Sequence, residues 1–207
     1  LRPYQIRALS ILRHRRFRGI IVLPTGAGKT IIALALIEKI KQRTLVLVPT
    51  IDLLYQWKKK IVELLRIREE DIGIWGGGSK ELREITIATY QGASKDYFLR
   101  KAMDFFGLII FDEAHHLTAP TFMKIPIKTI ATFKVGFTAT LSIDENKESI
   151  LRDIVGEPIQ IADTDELVFQ GYLADYDHKI IRVRMSKAEE ERYRRFNAKY
   201  SEYPQIE

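Results

Sequence analysis

Gly19-Ile20-Ile21-Val22-Leu23 runs directly into Pro24-Thr25-Gly26-Ala27-Gly28-Lys29-Thr30, and from Lys29 onward the apolar residues take a helical spacing. A short, continuous aliphatic run suits a strand buried on both faces of a sheet. Gly26 and Gly28 let the chain wrap tightly, so that amide hydrogens turn toward phosphate oxygens. The helix N-terminus that follows adds partial positive charge. Lys29 is then placed to reach β- and γ-phosphates, and the Thr30 hydroxyl to ligate magnesium (Mg2+). The strict phosphate-loop pattern has Gly where Leu23 stands, so this is a variant. The competing reading is a glycine-rich turn with no ligand. Against it, the strand and the helix fall where phosphate binding needs them.

Working outward, four more buried-type runs appear: Thr44–Val48, Ile85–Thr89, Leu108–Phe111 and Lys134–Phe137. Helical patterns at Lys29–Lys41 and Ile51–Leu65 lie between them. Strands alternating with helices predict an α/β fold with a doubly wound parallel sheet. Trp75–Ser79, with Gly76-Gly77-Gly78, reads as a loop. Beyond Thr140 the alternation fades. Ser149–Val155 reads as a helix and Lys179–Met185 as an exposed strand. A charged helix opens near Ser186, with Glu189 completing a capping pattern. The core lobe is placed at 1–141, and 142–207 is read as the end of the lobe and a connection onward.

Leu108-Ile109-Ile110-Phe111 delivers Asp112-Glu113-Ala114-His115 to the carboxyl end of a strand, where open α/β sheets bind ligands. Asp112 suits magnesium. Glu113 suits orientation and deprotonation of an attacking water. An isolated Asp-Glu pair is usually a solvated corner; downstream of a phosphate loop it is far more specific.

Asp112-Glu113-Ala114-His115 resembles the DEAH box of superfamily 2 helicases. Leu1-Arg2-Pro3-Tyr4-Gln5 resembles that superfamily's adenine-reading segment. Pro49-Thr50 with Gln56-Trp57 resembles motif Ia, Thr89-Tyr90-Gln91 motif Ib, and Thr138-Ala139-Thr140 motif III. Together with the phosphate loop, these motifs agree in order and spacing over residues 1–140. Within the superfamily the chain is similar to the XPB group, especially its archaeal members. The supporting phrases are Leu45-Val46-Leu47-Val48-Pro49-Thr50, His115-His116 and Val135-Gly136-Phe137 leading into motif III. The chain departs after motif III: where the group carries Arg-Glu-Asp, it has Leu141-Ser142-Ile143-Asp144-Glu145-Asn146, with an acidic pair but without the Arg.

The resemblance implies a RecA-like phosphate-loop ATPase lobe that uses ATP and Mg2+. Pro24 to Thr30 would hold nucleotide and Gln5 would contact adenine. Lys29, Asp112 and Glu113 would carry the chemistry. His115, Thr138, Ala139 and Thr140 would couple the site to strand handling, and Pro49, Thr50, Gln56, Thr89 and Tyr90 would contact nucleic acid. DNA is favoured over RNA as partner. The resemblance also implies a second RecA-like lobe supplying arginine fingers, and a nuclease in archaea or a transcription and repair complex in eukaryotes. Nothing after Thr140 resembles the second lobe's motifs, and there is no initiator Met. The chain is therefore expected to begin inside a longer protein and, alone, to hydrolyse ATP very slowly. A generic or RNA-directed helicase, or a nucleotide-gated module that regulates a partner without unwinding, stays open.

Some residues admit two readings. Gln5 fits a solvated helix position, but beside Tyr4 adenine contact is favoured. Trp57 suits base stacking, yet it falls on the apolar face of its helix and core packing is favoured. His116 reads as a packed histidine. Arg13-His14-Arg15-Arg16-Arg18 and Lys58-Lys59-Lys60 suit either phosphates or a solvated helix face.

The bulk numbers set the frame. A chain of 207 residues fits one domain with an appendage, since domains hold roughly 100–200 residues. A hydrophobic content of 46% supports a real core. The absence of cysteine excludes disulfides, thiol nucleophiles and cysteine-ligated zinc. A net charge of +6 is compatible with nucleic acid and equally with plain solubility. No apolar run has bilayer-spanning length, so no membrane role is expected. The expected location is cytoplasmic in an archaeon or bacterium, and nuclear in a eukaryote.

Overall fold

A computed structural model describes residues 1–140, 145–175 and 186–201. The elements run α1 (Pro3–His14), β1 (Arg18–Val22), α2 (Lys29–Ile40), β2 (Thr44–Val48), α3 (Ile51–Leu65), β3 (Ile72–Gly76), β4 (Ser79–Lys80) and β5 (Ile85–Thr89). They continue through α4 (Tyr90–Ala93), α5 (Asp96–Ala102), β6 (Leu108–Asp112), α6 (Pro120–Lys128), β7 (Phe133–Thr138), α7 (Glu145–Ile154), β8 (Pro158–Gln160), α8 (Thr164–Phe169) and α9 (Lys187–Ser201). The strands form an 8-stranded sheet in the order β4-β3-β5-β2-β6-β7-β1-β8. Every pairing is parallel except β3 with β4.

The parallel sheet follows from composition. Strands β2 and β6 are buried at every position, as expected when helices cover both faces. One layer packs Ile32, Leu36, Leu54, Trp57 and Ile61 against the sheet. The other packs Phe98, Phe106, Leu117 and Ile125. Thr50 starts α3 by accepting a hydrogen bond from the Leu53 amide at 3.3 Å. Arg66, in the left-handed conformation, ends it.

Two readings need correction. Trp75–Ser79 is not a continuous loop: Trp75 and Gly76 close β3 and pair with Lys80 and Ser79 of β4. Only Gly77 and Gly78 form the turn, with φ of 58° and 94°, the double positive φ of a type I′ hairpin turn. The helix expected at Ser149–Val155 begins earlier, at Glu145.

The first compact unit runs from Leu1 to Leu173. It includes β8, which lies beyond the boundary drawn at 141 and pairs with β1 in parallel. The second unit, Ala174–Glu207, contains α9, which opens with the expected capping box. There the Ser186 amide donates to Glu189 Oε2 at 2.8 Å, and the Glu189 amide to Ser186 Oγ at 3.4 Å. The strand expected at 179–185 and residues 141–144 of the departing segment lie outside the described residues. Among the described residues, no helix is long and apolar enough to cross a membrane.

Candidate nucleotide site and adjoining groove

Because the central strands are parallel, their carboxyl ends share one edge of the sheet. That edge holds the loop 23–28 after β1, Pro49-Thr50 after β2, Thr89-Tyr90 at β5, Asp112-Glu113 at β6 and Thr138–Thr140 at β7. Strand β7 lies between β1 and β6, so Thr138 stands between the loop and the carboxylates. The Leu23 amide donates to the Thr138 carbonyl at 3.1 Å and ties the loop to that strand.

Gly26 and Gly28 have φ of 81° and 80°, values that favour glycine. At Gly28 a Cβ would also lie 2.5 Å from Gln5 Nε2. Helix α1 braces the loop from beneath: the Ala27 carbonyl accepts from Tyr4 Oη at 2.8 Å and from Gln5 Nε2 at 3.2 Å. Gln5 is 4% exposed, and its Oε1 accepts from the Arg2 amide at 2.9 Å. Both ends of this amide therefore hold protein atoms, a bracing role the sequence did not reveal.

Lys29 Nζ donates to the Leu23 carbonyl at 3.1 Å. Burial lowers its pKa, opposed by the charges of Glu113 and Asp112. Burial raises the pKa of Glu113; Asp112 adds to this, while Lys29 and His116 oppose it. Glu113 has φ 49° and ψ 58°, a strained conformation for a residue with a side chain. His115 Nδ1 lies 3.5 Å from Glu113 Oε2 and 3.3 Å from Thr138 Oγ1. Since Thr138 Oγ1 already donates to the Thr140 carbonyl at 2.8 Å, the ring nitrogen is assigned as the donor. Burial, aided by Lys29, lowers the His115 pKa and favours the neutral ring.

Asp112 is held from two directions. Trp57 Nε1 donates to its Oδ2 at 2.7 Å, and Tyr90 Oη donates to its backbone carbonyl at 2.9 Å. Trp57 is buried, as core packing required, but its ring also carries this polar contact. Tyr90 is fully buried and, unlike Thr89 and Gln91, does not line the groove described below. Gln56 lies exposed on α3 and does not line the groove described below. Lys60 Nζ comes within 3.5 Å of Thr30 Oγ1, whereas Lys58 pairs with Glu69 at 2.9 Å. His116 packs between the rings of His115 and Tyr90.

The donor chemistry fits Mg2+ with a nucleotide. The hard oxygen donors beside the loop are the Thr30 hydroxyl, which directly follows it, and the Asp112 carboxylate, close enough to act on Lys29. Among the described residues, no group of three or more His, Cys, Asp or Glu could form a metal cage. Magnesium typically takes one or two carboxylates and completes its shell with phosphate and water.

A groove of about 590 Å³ lies on the same edge, lined by Pro49, Thr50, Thr89, Gln91, Lys95 and the β3–β4 turn, among others. Tyr97, 53% exposed, stacks on Trp75 at 5.9 Å on its wall, with Lys80 and Lys101 near the Tyr97 ring. This aromatic and basic cluster is assembled from residues whose spacing in the chain, at Lys80, Tyr97 and Lys101, carries no motif. A second cavity, about 1070 Å³, is lined by residues such as Lys41, Arg43, Glu84 and Gly107 at the amino ends of the strands. Ligands of open α/β sheets bind at the opposite edge.

The architecture and this edge define a RecA-like, superfamily 2 helicase lobe. The chain belongs to the family described as "Type III restriction enzyme, res subunit", which matches residues 1–143. It is 38% identical over 194 residues to "DNA 3'-5' translocase XPB2" of Sulfurisphaera tokodaii, covering 93% of this chain and 42% of that one. It is 35% identical to "DNA 3'-5' helicase XPB" of Kineococcus radiotolerans, covering 91% of this chain and 35% of that one. Among solved structures, the Hef helicase domain of Pyrococcus furiosus superposes with a TM-score of 0.67 at 23% identity, covering 80% of this chain and 39% of that one. The chain thus spans less than half the length of these curated relatives.

Proposed function

We propose that this lobe binds ATP with Mg2+ and drives translocation along, or opening of, DNA as part of an XPB-like motor. The observation that carries the reading is the gathering of all the motif ends on one sheet edge, with Lys29, Asp112 and Glu113 close enough to perturb one another. Gly26 to Thr30 cradle the phosphates, and Lys29 exchanges the Leu23 carbonyl for phosphate oxygen. Gln5 reads adenine with the donor capacity left on Nε2, and so ties base recognition to the loop it braces. Thr30 and Asp112 hold Mg2+, which with ATP supplies charge neutralisation at the transferred group. Glu113 orients water and accepts its proton. His115 and Thr138 carry the change at Glu113 toward Thr140. Pro49, Thr50 and Thr89 contact the strand through its phosphates, which positions without reading sequence. The names of the relatives support DNA over RNA.

The test is the steady-state ATPase rate of the intact natural protein against single-stranded DNA, duplex DNA and RNA, with Lys29→Ala as blank. Stimulation by DNA and not RNA is expected. Equal or greater stimulation by RNA overturns the DNA assignment, and stimulation by neither favours a partner-gated module. Residues 1–207 alone should run far slower than the intact protein, because arginine fingers contribute roughly 10³–10⁵ in rate.

The pH profile carries its own expectation. Glu113 must be ionised and Lys29 protonated. The acid limb of kcat/KM should therefore lie above the ordinary Glu value of 4.5, and the alkaline limb below the ordinary Lys value of 10.5. A bell with both limbs at or outside those values would contradict the roles assigned to this pair.

A further inference from the structure

We propose that Trp57 and Tyr90 are positioning residues for Asp112, through which the groove and the magnesium ligand share one buried hydrogen-bonded unit. The inference rests on the reading of the groove and of Asp112 given above.

Asp112 is only 8% exposed, so its carboxylate depends on donors from the protein. The Trp57 indole supplies one at 2.7 Å, the length of a charge-assisted bond. The Tyr90 hydroxyl fixes the carbonyl of the same residue at 2.9 Å. The donors come from 55 and 22 residues away in the chain, on two separate elements.

Both elements begin in the groove. Trp57 lies on α3, whose cap is Thr50; Tyr90 directly follows Thr89; and both threonines line the groove. Helix α3 is a stiff connection, packed on the core by Leu54, Trp57 and Ile61. One turn beyond Trp57, Lys60 reaches the Thr30 hydroxyl at 3.5 Å. A single helix that starts at the groove thus touches both residues assigned to magnesium. Any shift of α3 or of the Thr89-Tyr90 corner on strand binding must move Asp112 or break a buried bond. The plainer account is that Trp57 fills the core and its N–H takes the nearest acceptor. The two accounts differ at Trp57→Phe, which keeps an aromatic ring and deletes the donor.

The chain has 2 tryptophans, Trp57 and Trp75, so its two indole N–H resonances can be assigned with Trp75→Phe. The Trp57 resonance is expected to move when Mg2+ is added with a non-hydrolysable ATP analogue. It should also move with a DNA oligonucleotide alone. In Tyr90→Phe the Mg2+ midpoint of that shift should rise, and Trp57→Phe in the intact protein should raise the Mg2+ needed for half-maximal ATPase. Outer-shell partners of metal ligands are worth roughly 10–100-fold in metal affinity, which sets the size of both effects. Thermal melting confirms that each variant is folded; if Trp57→Phe is not, the Tyr90→Phe titration decides alone. A Trp57 resonance silent to Mg2+ nucleotide or to DNA, or a wild-type Mg2+ requirement in both variants, overturns the proposal. In that case DNA-stimulated ATPase in the wild type keeps the proposed function standing, whereas loss of that stimulation removes both.

Discussion

Glu113→Gln is expected to lower turnover by roughly 10²–10⁴ in the intact protein while ATP binding persists, the usual range for loss of a general base. The amide keeps the size of the side chain and its place at the end of β6, but it cannot take a proton from water. Removing the charge also removes a carboxylate that repels the anionic phosphates, and it leaves the phosphate loop and Asp112 in place. Nucleotide should therefore stay bound without being consumed. Filter binding with labelled ATP beside a single-turnover assay separates the two effects. Turnover within about threefold of wild type would take Glu113 out of the role of base, since even weak general bases contribute more.

Phe111→Ala should be the most damaging core change next to the site. Phe111 is fully buried, on the central strand β6, and immediately precedes Asp112. Truncating a buried Phe costs about 3–5 kcal/mol, from lost transfer energy and the cavity left behind. At about 2–4 °C per kcal/mol for a chain of this size, the melting temperature should fall by roughly 6–20 °C. The strand end carrying Asp112 and Glu113 should lose its register with it, so ATPase should fall even below the melting point. Differential scanning calorimetry checks the first effect. A loss under about 1 kcal/mol would mean that the site collapses around the gap, which the close packing of such interiors resists.

Much of the fold is readable in the sequence. The strands at 44–48 and 85–89 and the helix at 51–65 fall where their apolar runs placed them. Such runs carry their own signal, because a strand covered on both faces must be apolar throughout. Strand β3 escaped notice because Gly73 and Gly76 interrupt Ile72, Ile74 and Trp75. Strand β8 escaped because three residues opening on Pro158 have no period to detect. Both exist because a neighbour, β5 or β1, offers a free edge to pair with.

The candidate site divides along the same line. The phosphate loop, Asp112-Glu113 and Thr138–Thr140 were legible because each is a local motif: a few consecutive residues whose backbone geometry and side-chain chemistry go together. The sequence by itself determined that these groups would sit at strand ends, and so on one edge of a parallel sheet. It did not determine which side chains would hold them there. Gln5 turning beneath the Ala27 carbonyl, Tyr90 folding inward from the groove, and the Trp57 indole finding Asp112 were settled by the tertiary structure. Each is a hydrogen bond between residues far apart in the chain. Its partner is chosen by strand order and helix packing, while the local sequence specifies only that a buried polar group must find one.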